Sequence, residues 1–413
     1  MRQRATLGVL FLTVFVDLVG FGLVLPLLPF FAHHFHANGL EITALSSVFS
    51  LMQFIFAPWW GRLSDRIGRR PVLLISLAGS AVSYGALIFC NSFWQILATR
   101  ALAGLFGGNI AVANAYIADI TPPDQRSKGM GLIGAAFGLG FVLGPGLGAL
   151  VAHLANDPAH PTHVYRAIGA VAALICGLNW LVACWTLTES RAPVQQEGGG
   201  DEGLWHWEAW RRAFASRGTG YLITLYFVLS YGFANFENLF ALFIHEKLGY
   251  GVLGGNLFFL YIGLVMAVVQ GGLIGRLVKR FGEGWLIVAG GVLTAAAIAF
   301  MPAARVAWHL FFLLAGLGVG QGVNRASIMG LVSQRTSPGE QGVVLGVAQS
   351  AGSLARIVGP LAGGFLYDHV GSWAPFVFSG VVIVLVLLPG LGFLRREAPS
   401  HPTGNRACAT EFT

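Results

Sequence analysis

Charge is what this sequence has least of. Only 10% of its 413 residues are Asp, Glu, Lys or Arg, while 55% are hydrophobic; a soluble domain carries roughly 25% charged residues. So little polar surface cannot cover a water-soluble globule, which excludes an ordinary soluble enzyme, and a disordered chain is excluded too. Cysteine is scarce: Cys90, Cys176, Cys184 and Cys408 have neither paired nor metal-like spacing, so neither a disulfide framework nor a metal site is expected. No Gly-Lys-Ser/Thr phosphate loop is present, so direct driving by ATP is not expected. The ten-residue alternation of a membrane barrel is missing as well.

What is there is a succession of long apolar runs. A span takes ~20 apolar residues. The pattern predicts helices near 6–32, 41–60, 71–90, 93–119, 127–152, 164–186, 220–245, 251–275, 284–303, 307–333, 341–367 and 372–394, twelve spans in all. The basic start Met-Arg-Gln-Arg is followed by a run too long for a signal peptide, which holds Asp17 and no small-residue cleavage site; it is expected to stay as a span. With the N-terminus inside, the inner segments carry 19 basic residues and the outer loops three, Arg166, Lys247 and Arg305. That asymmetry predicts both termini on the cytoplasmic side, and it accounts for the basic loops without a nucleic-acid partner.

The longest inner connection holds a flexible Glu-Gly-Gly-Gly-Asp-Glu-Gly stretch at 197–203. The Trp- and Arg-rich segment 204–214 follows and suits a helix lying in the membrane interface. The expected organisation is a first half (1–188), a cytoplasmic linker (189–219), a second half (220–395) and a cytoplasmic tail (396–413). A repeat relates the halves. Gly61-Arg-Leu-Ser-Asp-Arg-Ile-Gly68 matches Gly275-Arg-Leu-Val-Lys-Arg-Phe-Gly282 at an offset of 214, and Gly144-Pro145-Gly matches Gly359-Pro360-Leu at 215. Two motifs at one offset mean two six-helix pseudo-repeats in parallel topology.

These motifs also carry a family resemblance. Gly61-Arg-Leu-Ser-Asp65-Arg66-Ile-Gly68-Arg69-Arg70 resembles the signature between spans 2 and 3 of the major facilitator superfamily. Arg100-Ala-Leu-Ala-Gly104 resembles its second motif, and Gly138-Leu-Gly140 through Gly144-Pro145-Gly-Leu-Gly148 its antiporter motif. Leu51-Met-Gln-Phe-Ile-Phe-Ala-Pro-Trp59, Ile117-Ala-Asp119 and Ala136-Phe-Gly-Leu-Gly140 are similar to the tetracycline-efflux class. The resemblance implies a transporter rather than an enzyme, with protons as the coupling ion and no other cofactor. It implies a cytoplasmic latch of Gly61, Asp65, Arg66, Gly68, Arg69 and Arg70, which Asp119 and Arg126 join, with Arg100 in the role of the span-4 arginine. The tetracycline exporters carry a His in span 8 and an Asp in span 9; the matching positions here are Met266 and Thr294, and neither titrates.

The charges inside the spans are the candidates for chemistry. Asp17 lies about a dozen residues into span 1, where a carboxylate costs several kcal/mol unless protonated, solvated or paired. It suits proton coupling or a structural hydrogen bond. Glu237 sits in Phe233-Ala-Asn-Phe236-Glu-Asn-Leu-Phe240, so Glu237 is a second proton-coupling candidate, with an ion pair as its structural alternative. The Phe stripe can serve substrate or plain packing. Arg325 and Arg356 cannot neutralise themselves and need an anion or water. With Arg100, three arginines face two acids within spans, which leaves a positive surplus for an anionic substrate group. The substrate-site candidates are Gln53, Asn109, Asn235, Phe236, Phe240, Arg325, Gln349 and Arg356. On span 5, Gly138, Gly140, Gly144, Pro145 and Gly148 are expected to shape a tight half-to-half contact, with simple packing as the structural alternative. Nine histidines fall on the outer side without the spacing of a metal site.

Together these features predict a proton-coupled antiporter that exports amphipathic organic compounds from a bacterial cell, with the surplus arginine leaning toward anionic ones. It should act as a monomer within the bilayer of the cytoplasmic (inner) membrane. A symporter or facilitator of a polar metabolite, a lipid exporter and a non-transporting receptor remain alternatives on sequence alone.

Overall fold

The computed structural model describes residues 2–107, 109–120, 126–155, 162–190, 207–336 and 341–396. The first half holds α1 (Arg2–Val24), α2 (Leu28–His34), α3 (Gly39–Ile67), α4 (Arg69–Leu87), α5 (Phe93–Phe106), α6 (Asn109–Ile120), α7 (Arg126–Leu154) and α8 (Thr162–Thr186). After α9 (Trp207–Ala215) come α10 (Arg217–Leu248), α11 (Val252–Val268), α12 (Ile274–Phe281), α13 (Glu283–Ala299), α14 (Ala307–Gln334), α15 (Gln341–His369), α16 (Ala374–Leu387) and α17 (Leu391–Arg396). Every span expected from the sequence has its helix, and no strand occurs among the described residues. Span 1 is α1 with α2, joined by a 3-10 turn at Leu25–Leu27. Span 4 is α5 with α6, and span 12 is α16 with α17. Span 8 is α11 with α12, joined by a π-turn over Val-Gln-Gly-Gly-Leu.

Seven helices among the described residues are long and apolar enough to cross a membrane. The others are shorter, as α5 is, or carry polar side chains midway, as α14 does with Gln321, Asn324 and Arg325. The Gly-Gly-Gly linker and the tail from 397 onward lie outside the described residues. The helix expected at 204–214 is α9; it packs on α10 and α15 with Ala213 buried, and Trp210 and Phe214 stack at 6.1 Å.

Local chemistry sets the helix ends. Asn38 and Glu41 form a reciprocal capping box at the start of α3, which satisfies two backbone donors that a helix end leaves open. Gly68 ends α3 at φ 101° and its repeat mate Gly282 ends α12 at φ 75°, conformations that glycine adopts without a Cβ penalty. The two halves therefore share a backbone device as well as a sequence motif.

Small residues let α1 approach α7. A Cβ on Gly144 would lie 2.6 Å from the Gly22 carbonyl carbon, and one on Gly22 would lie 2.8 Å from the Gly140 oxygen. Both helices belong to the first half, so Gly140 and Gly144 do not make the half-to-half contact expected of them. Of the expected residues, Gly148 does make that contact, and Gly146 joins it. Gly146 faces Leu260, Gly148 faces Asn256, and a Cβ on Gly263 of α11 would lie 2.6 Å from the Phe141 carbonyl oxygen. The other broad contact between halves is α3 with α15.

The contacts between halves gather toward one end of the bundle. Gly39 and Leu40 meet Asp368, Ser47 donates to the Ile357 carbonyl at 3.0 Å, and Phe30 and His33 pack on His245. At the opposite end, which holds the arginines of the α3–α4 turn, α12 has no buried residue. Among the described residues the halves are thus closed at the histidine end and apart at the arginine end. Overpacking a close crossing costs about 1–3 kcal/mol. Gly144→Val is therefore expected to lower the thermal midpoint of the purified protein, whereas Gly138→Val, where a Cβ meets nothing within 4 Å, should leave it near wild type.

Candidate functional site

Three clusters of polar side chains interrupt the apolar bundle. The first surrounds Asp17, buried on α1. Tyr84 of α4 and Cys176 of α8 lie within electrostatic range of its carboxylate. Arg100 of α5 is also buried; it donates to Tyr84 and stands over the Phe49 ring at 4.6 Å. The cluster offers an ionisable carboxylate beside a tyrosine hydroxyl and a fixed cation. This is the equipment for holding a proton where a free charge is costly.

The second cluster runs along the second half on α10, α14 and α15. Arg356 donates to Ser353 at 3.1 Å, and Tyr226 donates to Gln349 at 3.3 Å. Arg356 feels Tyr226, Arg325 and Glu237. Arg325 and Gln349 are exposed although they belong to spanning helices; charged and strongly polar groups within a span face the bundle interior or a water-filled cavity rather than lipid, which turns them toward the gap between the halves. Glu237, half-buried, attracts Arg356 without reaching a direct ion pair. Arg325 and Arg356 repel each other. An anion placed between them relieves that repulsion, and planar guanidinium groups bind carboxylate and phosphate well.

The other candidates divide. Gln53 is half-buried and donates to the Gly107 carbonyl at 2.8 Å, bridging α3 to the break between α5 and α6. Asn235 is fully buried and donates to Ser379 of α16 at 3.1 Å, so it joins two helices rather than facing the gap. Phe236 and Phe240 are fully buried, 4.8 Å apart, and pack on Phe258 and Phe259 of α11. Their 3–4 spacing turns them toward a neighbouring helix, and in this conformation they are closed off from the gap. Asn109 and Arg126 open α6 and α7; their side chains lie outside the described part of the structure.

The third cluster is at the arginine end. Arg69 bridges Asp65 at 2.7 Å and Asp119 at 3.0 Å, and donates to Ser64 at 2.5 Å. Ser64 in turn donates to the Gly61 carbonyl. Arg70 donates to the Leu187 and Cys184 carbonyls. Glu189 accepts from the backbone N–H of Arg69 at 2.9 Å and of Arg70 at 3.1 Å. A carboxylate is well placed on the positive end of a helix. A side chain at Gly68 would collide with Glu189. Arg66 is exposed, and Pro145 is buried within α7. None of these partners comes from the second half. Sequence reasoning missed Glu189, Tyr84 and Tyr226; Glu189 stands near the start of the linker, where an acid reads as ordinary loop polarity.

Two related helical halves, sealed at one end and separated at the other around buried charges, define a membrane transport protein. The chain belongs to the Major Facilitator Superfamily, whose sequence profile matches residues 10–303 and 269–411. It is thus a secondary transporter of small molecules, and not an enzyme. The tetracycline resistance protein, class C, of Escherichia coli is 31% identical over 412 residues, which cover 98% of this chain and 100% of that protein. Major facilitator superfamily domain-containing protein 10 of Bos taurus is 32% identical over 450 residues, covering 97% and 94%. The crystal structure of the human organic anion transporter MFSD10 (TETRAN) superposes with a TM-score of 0.67 at 27% identity, covering 94% of this chain and 99% of that one.

Arg69→Lys keeps the charge but cannot span Asp65, Asp119 and Ser64 together. Hydrogen bonds to charged groups contribute ~1.5–3 kcal/mol each. The variant is expected to bind substrate normally and to transport about tenfold more slowly, a result read by equilibrium binding beside initial rates in liposomes.

Proposed function

We propose that this chain is a proton-coupled antiporter that exports amphipathic organic anions by alternating access. The observation that carries the reading is that Arg325 and Arg356 stand within electrostatic range of each other, beside Tyr226, Gln349 and Ser353. Two cations on one wall of the gap make a site for a carboxylate or phosphate. Similarity to an organic anion transporter and to tetracycline resistance proteins supports the substrate class and the direction.

The cycle follows from where the charges stand. The arginine end faces the cytoplasm, as the basic loops require, and the conformation described is open to that side. An anion entering there meets Arg325 first and Arg356 deeper. Glu237 serves as the internal counter-ion of Arg356 while no substrate is bound, and the anion takes over that role. Asp17 carries the coupled proton on the return leg, neutral beside Tyr84, and releases it to the cytoplasm. Protons are the coupling ion, and no other cofactor is required. The protein works as a monomer in the bacterial cytoplasmic membrane with both termini inside, and α9 lies in the inner interface.

In liposomes with an imposed pH gradient, an anionic amphiphile should drive proton movement that Asp17→Asn abolishes. An unchanged signal in that variant removes Asp17 from the coupling. Arg356→Ala should weaken the anion at least tenfold and leave a cationic analogue of the same skeleton unaffected, because a charged hydrogen bond is lost for one and not the other. Glu237→Gln combined with Arg356→Ala should lose less than the two singles together, as coupled neighbours do. Strict additivity with equal losses for anion and cation would sink the anionic reading.

A further inference from the structure

We infer that Asp368 is the latch of the histidine end, a carboxylate of the second half that caps α3 of the first and holds the transporter shut on that side. The inference rests on the alternating-access reading above, and it assigns a positioning residue that neither motif includes. Asp368 accepts from the Gly39 N–H through one oxygen and from the Leu40 N–H through the other, both at 2.8 Å. The first backbone donors of a helix have no partner within it. At α3 the Asn38 side chain supplies Glu41, while Gly39 and Leu40 are supplied from the other half. A negative group also meets the positive end of the helix there. Opening the halves removes the carboxylate and leaves those two donors to water.

The surroundings hold this contact in place. A Cβ on Gly39 would lie 2.6 Å from the Asp368 oxygen, so only glycine lets the acid reach the first turn without a shift. One helical turn before Asp368, Gly364 packs against the Gly39 carbonyl and the Leu40 Cα; a Cβ there would lie 2.7 Å from each. Beside Asp368, Tyr367 donates to Glu246 at 2.5 Å and ties the end of α15 to α10. Farther along, Ser47 donates to the Ile357 carbonyl. The offset that pairs Gly144 with Gly359 pairs His153 with Asp368. His153 stands at the end of α7, the helix that crosses α11, and an imidazole cannot offer two anionic oxygens to a helix start. The acid therefore serves one of the two related crossings.

The test is a distance measurement on the full-length protein in lipid nanodiscs. Native cysteines are replaced, and spin labels go on His34→Cys and Val370→Cys, exposed positions at the sealed end of the two halves. The unmodified latch should give mainly the short distance. Asp368→Asn should raise the ratio of long to short distances about tenfold, the effect of one lost charge-assisted hydrogen bond, and Asp368→Glu should restore the short one. Gly39→Pro is a second route. Proline is favoured at the first helical position, and Asn38 already has the extended backbone (ψ 175°) that precedes proline readily. It removes one donor and crowds the acid without touching Asp368, so it decides the matter if Asp368→Asn fails to fold. Distributions like the wild type in both variants would overturn the latch, provided the wild type itself shows the long distance under some pH between 5 and 8, with or without cholate as the anionic probe. A single short distance in every protein and condition would overturn alternating access and the latch together.

Discussion

A charge inside a bilayer has to be neutralised, hydrogen-bonded or wetted, and this requirement governs where every ionisable side chain of the spans can stand. Arg100 meets it with the Tyr84 hydroxyl and the Phe49 ring in a buried setting. Arg356 meets it with Ser353, Tyr226 and the field of Glu237. The two solutions differ in one respect that matters for transport. The Arg100 site is closed by its own half, while the Arg325 and Arg356 wall borders the gap. A fixed cation enclosed by its own half stabilises architecture; two neighbouring cations at the gap set up a like-charge field there.

The same electrostatic device recurs at both ends of α3. Glu189 sits on the first turn of α4, just past the end of α3, and Asp368 sits on the first turn of α3 itself. Each gives both carboxylate oxygens to two consecutive backbone donors. The difference lies in ownership. Glu189 opens the linker directly after α8, a helix of the same half as α4, so its contact survives when the halves separate, whereas Asp368 belongs to the other half and its contact does not. Helix α3 is long and α15 lies along it, so a rigid tilt between these two helices changes the contacts at one end when it changes them at the other.

The spans, the repeat and the charged turn after α3 were legible because each depends on local pattern: apolar length, glycine at positive φ, basic residues on one side. Side-chain direction was less legible. Phe236 and Phe240 share their stripe with Phe233 and Phe243, and spacing alone does not say whether a stripe faces the gap or a neighbour; in this conformation Phe258 and Phe259 of α11 receive it. Asn235 was ambiguous for the same reason, since a buried amide serves a substrate or a facing helix equally well until Ser379 is seen beside it. Asp368 was invisible because it is 329 residues from Gly39. No local pattern marks an acid at a helix end as the cap of a distant helix.

The repeat itself shows how the work came to be divided. The second copy of the turn motif keeps both glycines, Gly275 and Gly282, but the offset of 214 puts Lys279 where the first copy has Asp65 and Glu283 where it has Arg69. The signs are inverted while the backbone bend is retained at φ 101° and 75°. In the first half Arg69 joins two carboxylates at once. In the second, α12 carries its basic residues with no buried face, and a Cβ on Gly330 would collide with Glu283, so this acid packs against α14 of its own half. A bend can be retained by glycine alone, since it depends on φ. A charge network needs each partner in place, and here both signs are exchanged. The arginine-end network thus belongs to the first half. The second half keeps its arginines deeper, at Arg325 and Arg356, where they confront the gap instead of a loop.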